Sequence, residues 1–169
     1  GGRLFKFDEN NILLSIGDFH ADGLHGPALS QDTTNDYGKI LKIDINDSSY
    51  KIFSNGHRNP QGLYIDKNNN IFSTEHGPEG GDELNLIHEN KNYGWPITTL
   101  GTAYGLKSWP IDKNNYTHDN FTKPIFSWGN QFGVSNLIVY ENNFFKKWDE
   151  NLIISSLASK QLVRMVYNK

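Results

Sequence analysis

The chain contains no cysteine, which excludes disulfide frameworks, thiolate metal sites and cysteine nucleophiles together. Nowhere does it reach the roughly 18 consecutive apolar residues that a membrane-spanning helix needs. It has no excess of positive charge: 16 Lys and Arg stand against 19 Asp and Glu, a formal net charge of −3. No basic stripe therefore favours nucleic acid, and no polybasic helix favours an anionic membrane surface. Helical periodicity is missing too, since no window keeps a 3.6-residue apolar repeat beyond a turn or two. No Gly-Lys-Ser/Thr follows the glycines, no His-Glu-x-x-His occurs and no nucleophile elbow surrounds a serine, so phosphate-loop, zinc-protease and serine-hydrolase readings find no support. The chain opens at Gly1 without Met or a signal-like segment, and both ends read as the edges of a fragment.

Aromatic residues are plentiful, at 13% of the 169 residues, a share that suits pleated, half-buried strands. One unit recurs: an apolar strand, an Asp/Asn turn, and a second apolar strand. It runs through residues 4–16, 63–73 and 137–154, with lone strands at 38–43 and 50–53. Hairpins returning at intervals of roughly 40–75 residues predict propeller blades, whereas a β-sandwich would space its strands more evenly. The polar stretches 18–37 and 77–123 carry Trp, Tyr, Pro and Gly and read as long functional loops. The turn from Asp66 to Asn70 opens like an EF-hand but has Ile71 where that loop needs Gly, so it is predicted to be a hairpin turn. Asn-x-Ser/Thr triplets begin at Asn46, Asn115 and Asn120 and carry no argument by themselves.

Two segments concentrate chemistry. Gly56-His57-Arg58-Asn59-Pro60-Gln61-Gly62 gathers several donors in a tight loop, and the Arg fork matches a carboxylate or a polarised carbonyl oxygen. A turn whose side chains bond only neighbouring backbone is the alternative. The second segment runs from Glu75 through His76, Gly77, Pro78, Glu79, Gly80, Gly81 and Asp82 to Glu83. Five acidic or imidazole side chains around Gly and Pro can present carboxylates and inward carbonyls, the hard oxygen ligands that Ca²⁺ takes. An acidic surface turn is the alternative here. Asn92-Tyr93-Gly94-Trp95-Pro96 reads as an aromatic anchor, and Asp18 after Gly17 as a strand-end carboxylate able to orient a histidine.

In this order, with Gly1-Gly2-Arg3-Leu4 ahead of them, these motifs resemble the glucose/sorbosone dehydrogenase family. The resemblance implies an all-β six-bladed propeller of the quinoprotein glucose dehydrogenase type, with residues 1–169 as one partial propeller domain truncated at both ends. It implies an oxidoreductase that moves hydride from the anomeric hydroxyl of an aldose to pyrroloquinoline quinone (PQQ), with Ca²⁺ as second cofactor and an external electron acceptor. A periplasmic or secreted location follows from it as well. Carried across, Arg58 and Asn59 face the quinone carbonyl and Trp128 packs near the cofactor plane. Asp18 orients the catalytic His, which precedes the Gly-Gly pair and so lies upstream of Gly1. The carbonyls of Gly77 and Pro78 hold the active-site Ca²⁺, and Glu83 with the Tyr93 carbonyl a second one.

Two departures stand out. Ala158 occupies the place of a cofactor-binding lysine, and residues 129–133 replace a proline-rich turn after Trp128. Both support an alternative from another class, a non-catalytic propeller of the same family that binds a glycan or a protein. Either way, open blade edges predict poor solubility for these 169 residues alone, and the resemblance implies that alone they are inactive.

Overall fold

The computed structural model describes residues 1–102, 117–130 and 132–167; the Asn115 triplet and Gln131 lie outside them. Strands β1 (Arg3–Lys6), β2 (Asn11–Ile16), β3 (Lys39–Asp44), β4 (Tyr50–Asn55) and β8 (Lys91–Asn92) form one sheet in the order β1-β2-β3-β4-β8. A second, central sheet joins β5 (Pro60–Ile65), β6 (Ile71–Glu75), β7 (Asp82–Ile87) and β9 (Phe126–Trp128) in chain order. The third contains β10 (Val134–Tyr140), β11 (Asn151–Ser156) and β12 (Leu162–Met165). Pairing is antiparallel except where β8 runs parallel to β4. Two short 3₁₀ turns, Leu29–Gln31 and Lys146–Trp148, complete the elements, and no α-helix occurs among the described residues. None of these elements is a helix long and apolar enough to cross a membrane.

The three predicted hairpins are present as β1/β2, β5/β6 and β10/β11. The turn after β5 is the predicted hairpin turn. Asp66 Oδ1 accepts the amides of Asn68 at 2.9 Å and Asn70 at 2.7 Å, and Oδ2 accepts Asn70 Nδ2 at 2.7 Å. Residues 77–123 are not one long loop, because β7 and β8 lie inside them. Strand β7 escapes a period-2 reading because both of its faces are buried: Leu84 and Leu86 fill one, and Glu83, Asn85 and Ile87 the other.

Both faces of the central sheet are covered. Leu63, Ile71 and Ile87 pack against Leu13, Ile40 and Phe53 of the first sheet. Phe72 and Leu84 pack against Val134, Leu137, Val139, Leu152 and Ile154 of the third. Each such side chain, once fully buried, contributes about 1.5–3 kcal/mol. The first strands of the sheets, β1, β5 and β10, lie side by side, with β5 in the middle. That alignment brings the loops after β2, β4 and β6 together at one end.

Candidate functional site

At that end the loop 56–59 carries His57 and Arg58. His57 is fully buried, stacks on Tyr93 with ring centroids 4.7 Å apart, and stands between two partners. Its Nε2 is 2.8 Å from Ser54 Oγ, and its Nδ1 3.0 Å from Glu75 Oε2. The other oxygen of Glu75 accepts the backbone N–H of Arg58. The last residue of β6 thus holds the loop that follows β4, and the backbone of Arg58 is fixed from both sides: its carbonyl accepts Asp18 N–H at 2.8 Å.

The Arg58 side chain is equally constrained. Nη1 donates to the His76 carbonyl at 3.2 Å, and the guanidinium lies 5.4 Å from the Trp95 ring centre. Trp95 Nε1 in turn donates to Asp18 Oδ2 at 2.7 Å. Burial pushes the Asp18 carboxyl above its usual range, an effect opposed by the bonds from Trp95 and the His20 amide. Asp18, Phe19, His20, Asp22, Arg58 and Asn59 line a cavity of about 260 Å³. Three residues singled out in the sequence, Asp18, Arg58 and Asn59, therefore meet there. The largest cavity among the described residues, about 320 Å³, lies between Asp66, Phe72, Glu141 and Glu150 and contains none of them.

The loop 76–81 closes backbone on backbone. Gly81 has φ +67°, and a Cβ there would lie 2.1 Å from the Gly101 nitrogen, so only glycine fits. Gly77 N–H donates to Asp82 Oδ1 at 3.0 Å, while Asp82 Oδ2 accepts Val134 N–H at 3.0 Å. Gly77, Glu83 and Tyr93 join Arg58 around a second void of about 10 Å³, the size of a single water or ion. Pro78 sits against Gly101. The Trp128 ring is stacked on Phe132 at 5.0 Å, and its carbonyl accepts Gly81 N–H at 2.8 Å. It lines neither the 260 Å³ cavity nor the smaller void. Ala158 lies beside Gly133.

The five acidic and imidazole groups of this segment do not form one cluster. Among the described residues no three His, Cys, Asp or Glu side chains converge as a metal site, because Asp82 and Glu83 alternate to opposite faces of β7. Glu83 is the unusual one. It is the register partner of Glu75 across β6 and β7, and burial, with the nearby Glu75 charge, pushes its carboxyl up to about 8. A buried carboxylate facing another carboxylate suits a bound cation, so Glu83 fits Ca²⁺ in kind. Arg58 and Asn59, at the wall of the larger cavity, fit an anionic quinone in kind.

Sequence reasoning passed over Ser54 and assigned no role to Glu75. It also missed Lys39, whose ammonium is buried and donates to the carbonyls of Leu29 at 2.9 Å, Ser30 at 3.0 Å and Tyr37 at 2.6 Å. The only local signal was a serine three residues before His57; the remaining partners are set by register between strands.

The sequence model of the glucose/sorbosone dehydrogenase family matches residues 1–169. The chain belongs to this family. It is 30% identical over 182 residues to aldose sugar dehydrogenase YliI of Escherichia coli (strain K12), covering 99% of this chain and 47% of that protein. It is 33% identical over 146 residues to quinoprotein glucose dehydrogenase B of Acinetobacter calcoaceticus, covering 72% of this chain and 29% of that one. The chain thus spans less than half the length of these curated relatives. The crystal structure of the soluble aldose sugar dehydrogenase of Escherichia coli in the apo form superposes with a TM-score of 0.87 at 30% identity, over 99% of this chain and 51% of that one. The PQQ-bound aldose sugar dehydrogenase of Streptomyces coelicolor superposes with a TM-score of 0.71 at 26% identity, over 99% of this chain and 45% of the other.

Proposed function

We propose that the three sheets are blades of a six-bladed propeller, and that the protein they serve oxidises aldoses with PQQ and Ca²⁺ in the periplasm or outside the cell. The observation that carries this reading is Arg58, a permanent cation locked between Trp95 and the His76 carbonyl at the wall of a cavity it shares with Asn59 and Asp18. The relatives named above as a quinoprotein and as PQQ-bound support the choice of cofactor. When bound, the quinone supplies the hydride acceptor.

The residues of this chain bind, orient and polarise. The Arg58 guanidinium presents fixed positive charge where an oxygen gains negative charge, and it needs no reorganisation because Glu75 and Trp95 already hold it. The Asn59 amide adds a donor and an acceptor beside it. Asp18 is kept in place by Trp95 Nε1 and offers Oδ1 to the cavity side, where the family resemblance puts its partner histidine. Trp128, through the Gly81 loop that its carbonyl holds, is proposed to border the cofactor plane. Gly77 and Pro78 carbonyls are proposed to hold one Ca²⁺, and Glu83 with the Tyr93 carbonyl a second.

The test uses the full-length protein purified without cofactor. Reduction of an artificial electron acceptor is followed across a panel of aldoses, with PQQ and Ca²⁺ added separately and together. Turnover that needs both, and is lost in Arg58→Ala, is the expected result. Tight quinone binding without turnover would instead favour the glycan- or protein-binding propeller, and absence of quinone binding would overturn the reading.

A further inference from the structure

Three buried side-chain atoms have no hydrogen-bond partner among the described residues: Asn85 Oδ1, His118 Nε2 and Ser127 Oγ. All three gather around Glu83. Ser127 is its register partner on β9, as Glu75 is on β6, and directly opposed residues share a sheet face. Asn85 lies two residues on along β7 and therefore on the same face; its Nδ2 donates to Glu83 Oε2 at 3.1 Å. His118 arrives from the segment 117–122, with Nε2 3.8 Å from Glu83 Oε1. That distance is too long for a hydrogen bond. It does suit two ligand atoms that share one cation at about 2.0–2.4 Å each.

The burial and orientation agree. Asn85 is 0% and His118 2% exposed, so neither finds water. His118 Nδ1 is 3.4 Å from Thr98 Oγ1. With Nδ1 carrying the proton, Nε2 keeps its lone pair toward Glu83, the arrangement in which metal-binding histidines are usually held by an outer partner. Burial also lowers the pKa of His118, which favours the neutral imidazole. The segment itself is anchored, since Thr122 N–H donates to the Asn92 carbonyl at 2.8 Å.

We propose that Glu83, Asn85, Ser127 and His118 form a buried divalent-cation site in which His118 is a nitrogen ligand, so that the site takes a first-row transition cation in preference to Ca²⁺. The inference rests on the Glu83 ligand assignment made above and departs from it in the ligand set and the class of ion. One imidazole among oxygen donors shifts a site from Ca²⁺ toward the imidazole-binding first-row metals.

Mn²⁺ is the probe, on the full-length protein stripped with EDTA and free of quinone. Free Mn²⁺ is counted by electron paramagnetic resonance, bound Mn²⁺ is examined for ¹⁴N coupling by pulsed resonance, and Ca²⁺ is added as competitor. The wild type is expected to bind Mn²⁺ with a ¹⁴N coupling and to hold it against excess Ca²⁺. His118→Gln is expected to lose the coupling and to weaken Mn²⁺ at least tenfold, about the effect of removing a tuning partner at a metal site, while Ca²⁺ affinity stays nearly unchanged. Glu83→Gln is expected to weaken both ions. No Mn²⁺ binding, or bound Mn²⁺ without nitrogen coupling in the wild type, overturns the inference without recourse to any variant. If Ca²⁺ binding still depends on Glu83 in that case, the functional reading stands. If Glu83→Gln changes neither ion, the Glu83 assignment falls in both.

Discussion

Lys39→Met is the perturbation whose size the structure lets one work out. The ammonium is fully buried, yet it meets only carbonyl oxygens, and burial depresses its pKa from 10.5 to about 8. A lysine with a lowered folded-state pKa is penalised while charged. The penalty is fully present below about pH 8 and fades as pH rises toward the unfolded value of 10.5, because the folded state sheds its proton first. At about 1.4 kcal/mol per pH unit, moving from pH 7 to pH 9.5 relieves about 2 kcal/mol. Methionine cannot titrate and gains nothing over that range. It also loses three hydrogen bonds, although Leu29 O keeps the Asp32 amide and Ser30 O keeps the Gly56 amide. The orphaned group is the Tyr37 carbonyl, costing about 1–3 kcal/mol. Near pH 7 this loss and the relief of the buried charge largely offset each other. Urea unfolding of the full-length protein and of Lys39→Met should therefore show a difference that widens by about 2 kcal/mol in favour of the wild type between pH 7 and 9.5. A constant difference across that range would refute the reasoning. The effect also reaches the site, because Ser30 Oγ and Gln31 Nε2 hold the Trp95 carbonyl at 2.7 and 2.6 Å.

Other outcomes follow from the same geometry. His57→Ala strands a buried Glu75 and Ser54, and should lower unfolding stability by about 3–5 kcal/mol in denaturant titration. Gly81→Ala places a Cβ against Gly101 at positive φ and should cost at least about 1–3 kcal/mol, seen as a lower Tm. Arg58→Lys keeps the charge but loses the planar fork stacked on Trp95; quinone binding, read by fluorescence titration, should weaken about tenfold or more while the fold stays intact. Ile154→Ala opens a cavity in the packed contact between the central and third sheets and should cost about 2–5 kcal/mol, with no change in quinone affinity.

The sequence by itself determined the hairpins and the chemistry-bearing loops. Alternating apolar residues and Asp/Asn turns act within a few residues, so the pairs β1/β2, β5/β6 and β10/β11 could be read directly. The motif around Arg58 and the Gly77-Pro78 loop were legible because glycine, proline and charged residues mark such loops wherever they fall. Strand β7 was hidden, since a strand buried on both faces shows no polar alternation. What only the tertiary structure decided is which distant groups meet. The chain Ser54–His57–Glu75 joins the end of β4 to the end of β6, and Lys39 is wrapped by carbonyls from a loop that precedes it. The gathering of Asn85, His118 and Ser127 on Glu83 depends on the register between β7 and β9 and on a segment more than thirty residues downstream. Such meetings arise from cross-strand register and sheet packing, which are non-local, and no property of a single short segment encodes them.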